Sequence, residues 1–238
     1  MPNRGFETTR WSLVLAAGRD STAGSRAALS ELCELYWRPI YAFARRQGHD
    51  MHDAEDLTQA FFTRLLEKHV VQSADPQRGR FRSFLLASFK HFVANERDRA
   101  HAQKRGSGKV TIGLDFESAE ARYSAEPVDT LTPEAVFERQ WALAILDRVL
   151  ATLRDECVSA GKTDVFDRVR DLLAGDRSPG GYAAIAESLG TTEGAVKVNV
   201  HRLRRRYRDL LRAEIEATVS DSSEIDDEIG FLMSTVSR

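Results

Sequence analysis

Along most of the chain, apolar residues recur at alternating spacings of three and four, the period of a helix with one buried side. From 25 to 47, Leu29, Leu32, Tyr36, Ile40 and Phe43 make such a stripe, with Trp37 beside it and Gly48 at its end. Pro39 lies inside and predicts a bend or interruption, because proline lacks a backbone donor and crowds the preceding turn. A second helix is expected from about His52 to His69 on Ala54, Leu57, Phe61 and Leu65, and a third from Ser83 to about Arg105 on Leu85, Phe89, Phe92 and Val93. Thr132-Pro133-Glu134 supplies a capping hydroxyl, a proline for the first turn and an acid. It opens a helix whose buried side is Phe137, Trp141, Ile145, Val149 and Leu153. Val165, Phe166, Val169, Leu172 and Leu173 mark a shorter one. The period-two alternation of strands is absent, except briefly from Val110 to Leu114. The predicted fold class is all-α: two small helical domains joined by a flexible linker.

The most specific stretch is GYAAIAESLGTTEGAVKVNVHRLRRRYRDLL, Gly181 to Leu211. Ile185, Ala186 and Leu189 form the apolar side of a short helix, and Gly190 stops it, since glycine accepts the left-handed backbone of a helix C-cap. Thr191 or Thr192 can cap the next helix, with Glu193 in its first turn, where a negative charge suits the dipole. Val196, Val200, Leu203, Tyr207 and Leu210 then make one buried stripe, leaving Lys197, His201, Arg204, Arg205 and Arg208 on other faces. A short helix, a glycine corner and a long basic helix compose a helix-turn-helix, which binds DNA by placing its second helix in the major groove.

Composition changes this picture little, and charge distribution changes it more. The 238 residues carry a net charge of −2, so the chain as a whole is not polycationic. Residues 78 to 105 are nevertheless rich in Arg and Lys, whereas the tail after Ala217 holds Asp221, Glu224, Asp226, Asp227 and Glu228. Cys33 and Cys157 are the only cysteines and lie far apart, which argues against a disulfide framework or a cysteine-rich zinc site. With no apolar run of membrane-spanning length and no signal-peptide core, a cytoplasmic protein with no membrane partner is expected.

Charge and aromatic patterning locate the candidate chemistry. Asp53, Glu55, Asp56 and Gln59 crowd the early turns of the second helix, either as dipole partners or as an acidic docking face. Around the third helix, Phe81 and Phe84 alternate with basic residues, a mixture suited to single-stranded nucleic acid because rings stack on bases while cations follow phosphates. Residues 106 to 131 open on the polar, glycine-rich RGSGK and turn acidic. RGSGK is not a phosphate loop, for it lacks the leading Gly and the final Ser or Thr. His49 and His52 near Asp50 and Asp53 fit a solvated surface better than a metal site. Neither catalytic residues nor a cofactor are expected. In the tail, Ile225, Ile229, Leu232 and Val236 fall at helical spacing among acids, which predicts an amphipathic helix.

Taken in order, these parts resemble an RNA polymerase sigma factor of the extracytoplasmic-function (ECF) type over about residues 25 to 215. DAEDLTQAFFTRLLE, Asp53 to Glu67, resembles the family's core-polymerase-binding helix. GRFRSFLLASFKHFVANERDRA, Gly79 to Ala100, resembles its −10 reader, and the helix-turn-helix its −35 reader. The resemblance implies an N-terminal extension at 1–24, a region 2-like domain at 25–105, an acidic linker at 106–131, a region 4-like domain at 132–216 and an acidic amphipathic extension at 217–238. It implies that Asp53, Glu55, Asp56 and Gln59 dock on core polymerase, whose clamp coiled coil and flap are the partner surfaces. Arg80, Phe81, Arg82, Phe84, Lys90, His91, Asn95 and Arg99 would meet the −10 element. Lys197, Val198, Asn199, His201, Arg202 and Arg205 would face the −35 groove. The family often has Trp at the position of Phe84, Asn at that of His91 and Ser-Arg where Val198-Asn199 stands, so the promoter sequence is not transferable.

The implied function is promoter recognition and DNA opening for transcription initiation, with chemistry left to the polymerase. The alternative is a helix-turn-helix regulator that binds duplex DNA without joining polymerase. The acidic helix and the aromatic-basic segment separate the two, since a simple repressor needs neither. Regulation stays open between an anti-sigma partner, the C-terminal extension folding back on a basic surface, and phosphorylation of Thr58.

Overall fold

The computed structural model describes residues 23–67, 74, 80–102, 114–125, 131–173, 181–216, 218–219 and 221–237; the side chains of 23–29, 66–67, 97–102 and 125 are not included. The regular structure among them is helical. The helices are α1 (Ala23–Arg46), α2 (Met51–Glu67), α3 (Phe81–Ala102), α4 (Phe116–Ala125), α5 (Pro133–Ser159), α6 (Thr163–Leu173), α7 (Gly181–Ser188), α8 (Glu193–Glu216) and, after a 3-10 turn at Ser222–Glu224, α9 (Ile225–Val236). Residues 1–22 of the expected N-terminal extension, the strand-like Val110 and the RGSGK segment lie outside the described residues.

The chain divides into two compact units, Met1–Ala144 with Ile215–Arg238, and Ile145–Glu214. In the first, α1 packs against α2, α3 and α4. Its core is aromatic: Phe61 meets Phe89 edge-on at 5.2 Å and Phe43 meets Phe89 at 6.0 Å. Such pairs add about 0.5–1.5 kcal/mol each to ordinary burial. The expected interruption at Pro39 does not occur, for α1 runs through it. Trp37, Ile40, Tyr41 and Phe43 around it are all buried, so packing on both sides keeps the segment helical despite the missing backbone bond. Gly48 ends the run at φ 91°, while the His49 N–H reaches back to Ala44 O and the Gly48 N–H to Arg45 O. This paired closure satisfies carbonyls that the helix end would otherwise orphan.

Two segments differ from the sequence expectation. Residues 116–125, expected within a flexible linker, form α4, capped by Asp115 through the Ser118 N–H. Phe116 lies edge-on to Trp37 at 5.3 Å, and the Arg45 guanidinium grips Glu120 with two bonds of 2.7 and 2.9 Å. A buried ring and a bidentate ion pair give this segment the tertiary contacts that make a short helix stable. The division between units also falls inside α5, after Ala144, and not in 106–131. Val136, Phe137 and Trp141 at the start of α5 are buried, and the tail joins the first unit.

The second unit has its own core of Val169, Leu172, Ala186, Val196 and Val200, with Tyr182, Ile185 and Leu203 packed against it. Gly190 turns the chain between α7 and α8 at φ 60°, and the Thr191 N–H closes on Ala186 O at 2.9 Å. Of the two threonines offered as caps, Thr192 does so, its Oγ1 accepting the Ala195 N–H at 3.2 Å.

Candidate nucleic-acid interface

The candidate residues lie on three polar faces. On α2, Asp50 caps the helix by accepting the Asp53 N–H at 2.8 Å. Ala54, Thr58, Phe61 and Leu65 turn into the core. This leaves Asp53 and Asp56 exposed and Glu55 and Gln59 half-buried on the other side, the negative face the sequence predicts. Thr58 is not part of that face. It is fully buried, and its hydroxyl donates to Ala54 O at 2.7 Å, so a kinase reaches it only if the helix is displaced.

The second face lies on α3, where Lys90, His91 and Asn95 are exposed. Lys90 donates to Glu134 Oε1 at 2.6 Å, and this bond holds the Glu134 carboxyl below the usual carboxylate range. For Arg99 only the helical backbone is described. Phe84 is half-buried, and Phe81 and Arg82, both expected to meet the −10 element, are buried. Phe81 packs edge-on against Tyr36 at 5.4 Å. Arg82 lies between the rings of Trp141, at 4.3 Å, and Phe231, at 4.9 Å. Its Nη1 donates to Glu228 Oε1, and its Nη2 reaches Oε2 at 3.4 Å. Arg80 Nη2 meets the same Oε2 at 2.9 Å.

Glu228, grouped by sequence with the tail's other acids, is thus completely buried beneath two arginines. A carboxylate in such a place needs paired, hydrogen-bonded cations to offset desolvation. The signal was present in the helical period. Ile225, Glu228, Leu232 and Thr235 follow the same three-four spacing as the apolar stripe and form the inner face of α9, whereas Ile229 and Val236 are half-buried. Arg139 secures the other end of α9, donating to Val236 O at 3.0 Å, where a cation also suits the helix dipole.

On α8, Lys197, Val198, His201, Arg202 and Arg205 are exposed and Asn199 half-buried. The helix sorts its arginines by turn. Arg204 donates to Leu172 O at the end of α6, and Arg206 grips Glu156 through bonds of 2.6 and 2.8 Å. Arg202 and Arg205 project into solvent. Lys197 makes a local pair with Glu193 at 2.7 Å, which raises its pKa, and lies 5.7 Å from the Tyr182 ring.

Among the described residues, no group of His, Cys, Asp and Glu is placed to hold a metal, and no helix is long and apolar enough to cross a membrane. Cys33 is buried, which pushes its thiol up to about 12, with Glu34 adding to the shift. It is a packing residue in this fold.

Residues 32–101, from within α1 to the end of α3, match the model of the sigma-70 region 2 family. The chain carries a sigma-70 region 2 domain. It is a sigma factor, a non-catalytic subunit that partners core RNA polymerase and promoter DNA in transcription initiation. It is similar to the ECF RNA polymerase sigma factor SigE of Mycolicibacterium smegmatis, 26% identical over 202 residues that span 84% of this chain and 68% of that protein. A span of this length reaches beyond region 2 into the second unit. No solved structure matches significantly. Region 2 accounts for the acidic face of α2 and the polar face of α3, both of which fall within 32–101.

Proposed function

We propose that the three faces divide the work of an ECF-type sigma factor acting in the cytoplasm. Asp53, Glu55, Asp56 and Gln59 dock on the clamp coiled coil of core polymerase, joining a negative helix face to a basic partner. Lys90, His91, Asn95 and Arg99, with Phe84 and the Arg80–Arg82 pair beside them, receive the −10 element as it opens. Cations follow the backbone there, and a ring offers a stacking surface for an unstacked base. On α8, Lys197, Val198, Asn199, His201, Arg202 and Arg205 enter the −35 groove, where phosphate contacts set position and base-edge contacts set sequence. The second unit also meets the polymerase flap. Grip at two elements fixes where polymerase sits, and strand capture by region 2 opens the duplex.

The observation that carries this reading is the acidic face of α2, solvent-facing within a matched region 2. A duplex-binding regulator has no use for it. The test is a pull-down of core polymerase with Asp56→Ala/Gln59→Ala against the unaltered chain. Both side chains lie off the core, so the variant should fold normally and lose most of its core binding. Undiminished binding by a folded variant would remove the docking assignment.

A further inference from the structure

We propose that the Arg80–Arg82 pair is a phosphodiester site for the opened promoter strand, and that Glu228 occupies it in cis, so that α9 competes with single-stranded DNA. The inference rests on the −10 role given to α3 above and adds the occupant. Two guanidinium groups converge on one carboxylate, Arg80 on Oε2 and Arg82 on both oxygens. A phosphodiester presents the same features, one negative charge shared by two oxygens, and arginine forks bind either group. The start of α3 adds the positive end of a helix dipole. Arg82 also has its guanidinium carbon over the rings of Trp141 and Phe231, an aromatic surface that a base could meet once Phe231 withdraws.

The occupant is held by a small set of contacts. Ile225 and Leu232 are its buried apolar anchors, Arg139 binds its last carbonyls, and Glu228 supplies the charge, while Asp226 and Asp227 face outward. Trp141, fully buried in the same place, has an indole N–H with no hydrogen-bond partner among the described residues. If α9 withdrew with nothing to replace it, Arg80 and Arg82 would lose the Glu228 carboxylate that pairs with both of them, so an incoming anion is the natural exchange. Because α9 belongs to the same chain as the site, free strands compete poorly with it and a strand held nearby by polymerase competes well.

The test measures binding of a fluorescein-labelled, randomised single-stranded DNA oligonucleotide to the full chain by anisotropy. Glu228→Gln removes the charge and keeps the shape, and it should raise affinity by at least about tenfold. Phe231→Ala loosens α9 without altering charge and should act in the same direction. Adding Arg80→Ala to Glu228→Gln should cancel the gain. The proposal is overturned if neither variant binds DNA more tightly while its thermal unfolding stays cooperative, or if the gain survives removal of Arg80. Core-polymerase binding is scored on the same samples. A chain that gains DNA affinity yet fails to bind core loses the promoter reading and keeps the competition. A chain that binds core with no gain loses only the competition.

Discussion

Arg202 and Arg205 on α8 stand in solvent, whereas Arg80 and Arg82 at the start of α3 converge on the chain's own Glu228. The side chains are the same and their free energies are not. On α8, the arginines that would disturb an open face, Arg204 and Arg206, are engaged by Leu172 O and Glu156, which also pins the helix to its unit. What remains outward at Arg202 and Arg205 is a hydrated cationic face that an anion meets without displacing a buried partner. On α3 and just before it, three described cations are already paired: Lys90 with Glu134, and Arg80 and Arg82 with Glu228. A ligand there must exchange one anion for another. On the proposed roles, duplex grip by α8 would come without rearrangement, and strand capture by α3 would be coupled to release of an internal contact.

The largest effect that tests this contrast is on stability. Glu228→Ala leaves Arg82 without its counter-charge in a buried place, which costs up to about 3–5 kcal/mol, with the release of α9 setting the ceiling. Glu193→Ala, which removes the exposed partner of Lys197, should leave the denaturation midpoint where it was. Equal responses in chemical denaturation would abolish the distinction between a buried and a solvated pair. Next in size is DNA affinity. Arg202→Ala should weaken duplex promoter binding by about 1–3 kcal/mol if it contacts a base edge. A loss equal on every sequence, with a shallower salt dependence, would make it a phosphate contact.

The corner between α7 and α8 sharpens the same point at about 1–2 kcal/mol. A Cβ built at Gly190 meets nothing within 4 Å, so Gly190→Ala carries only the cost of a φ of 60° on an L-residue. Denaturation should show that loss, and a neutral result would mean the corner relaxes freely. The smallest effect concerns acid. The Arg45 fork holds the Glu120 carboxyl below its usual range, with Tyr41 donating a further bond at 2.5 Å. A carboxylate lowered in the folded state contributes stability above its unfolded pKa, about 4.3, and loses that contribution as pH falls through the lower folded value. Melting temperature should therefore fall below about pH 4 less steeply in Glu120→Gln than in the unaltered chain. Parallel curves would mean α4 is not held by that charge.

Periodicity made the helices legible because each buries one stripe, and the glycine corners and the threonine cap were legible because few residues suit those backbones. The exposed positions on α2 and α8 follow from the same stripes by subtraction. What sequence obscured was pairing between distant segments. Residues 106–131 read as a linker because Glu120 and Phe116 have meaning only against Arg45 and Trp37. Glu228 read as one more tail acid because its partner Arg82 lies 146 positions away. Its place on the inner face of α9, three residues from Ile225 and four from Leu232, was the one local clue. Arg82 read as a surface cation for the same reason.

The most direct test of the promoter-factor account is run-off transcription by core polymerase, with and without the purified chain, on a pool of randomised promoters. The account predicts transcripts that depend on the chain and come from templates sharing two sequence elements upstream of the start, the farther one lost with Arg202→Ala and the nearer one with Asn95→Ala. No transcription above core alone, from a chain that still binds duplex DNA, would contradict it and leave a helix-turn-helix regulator in its place.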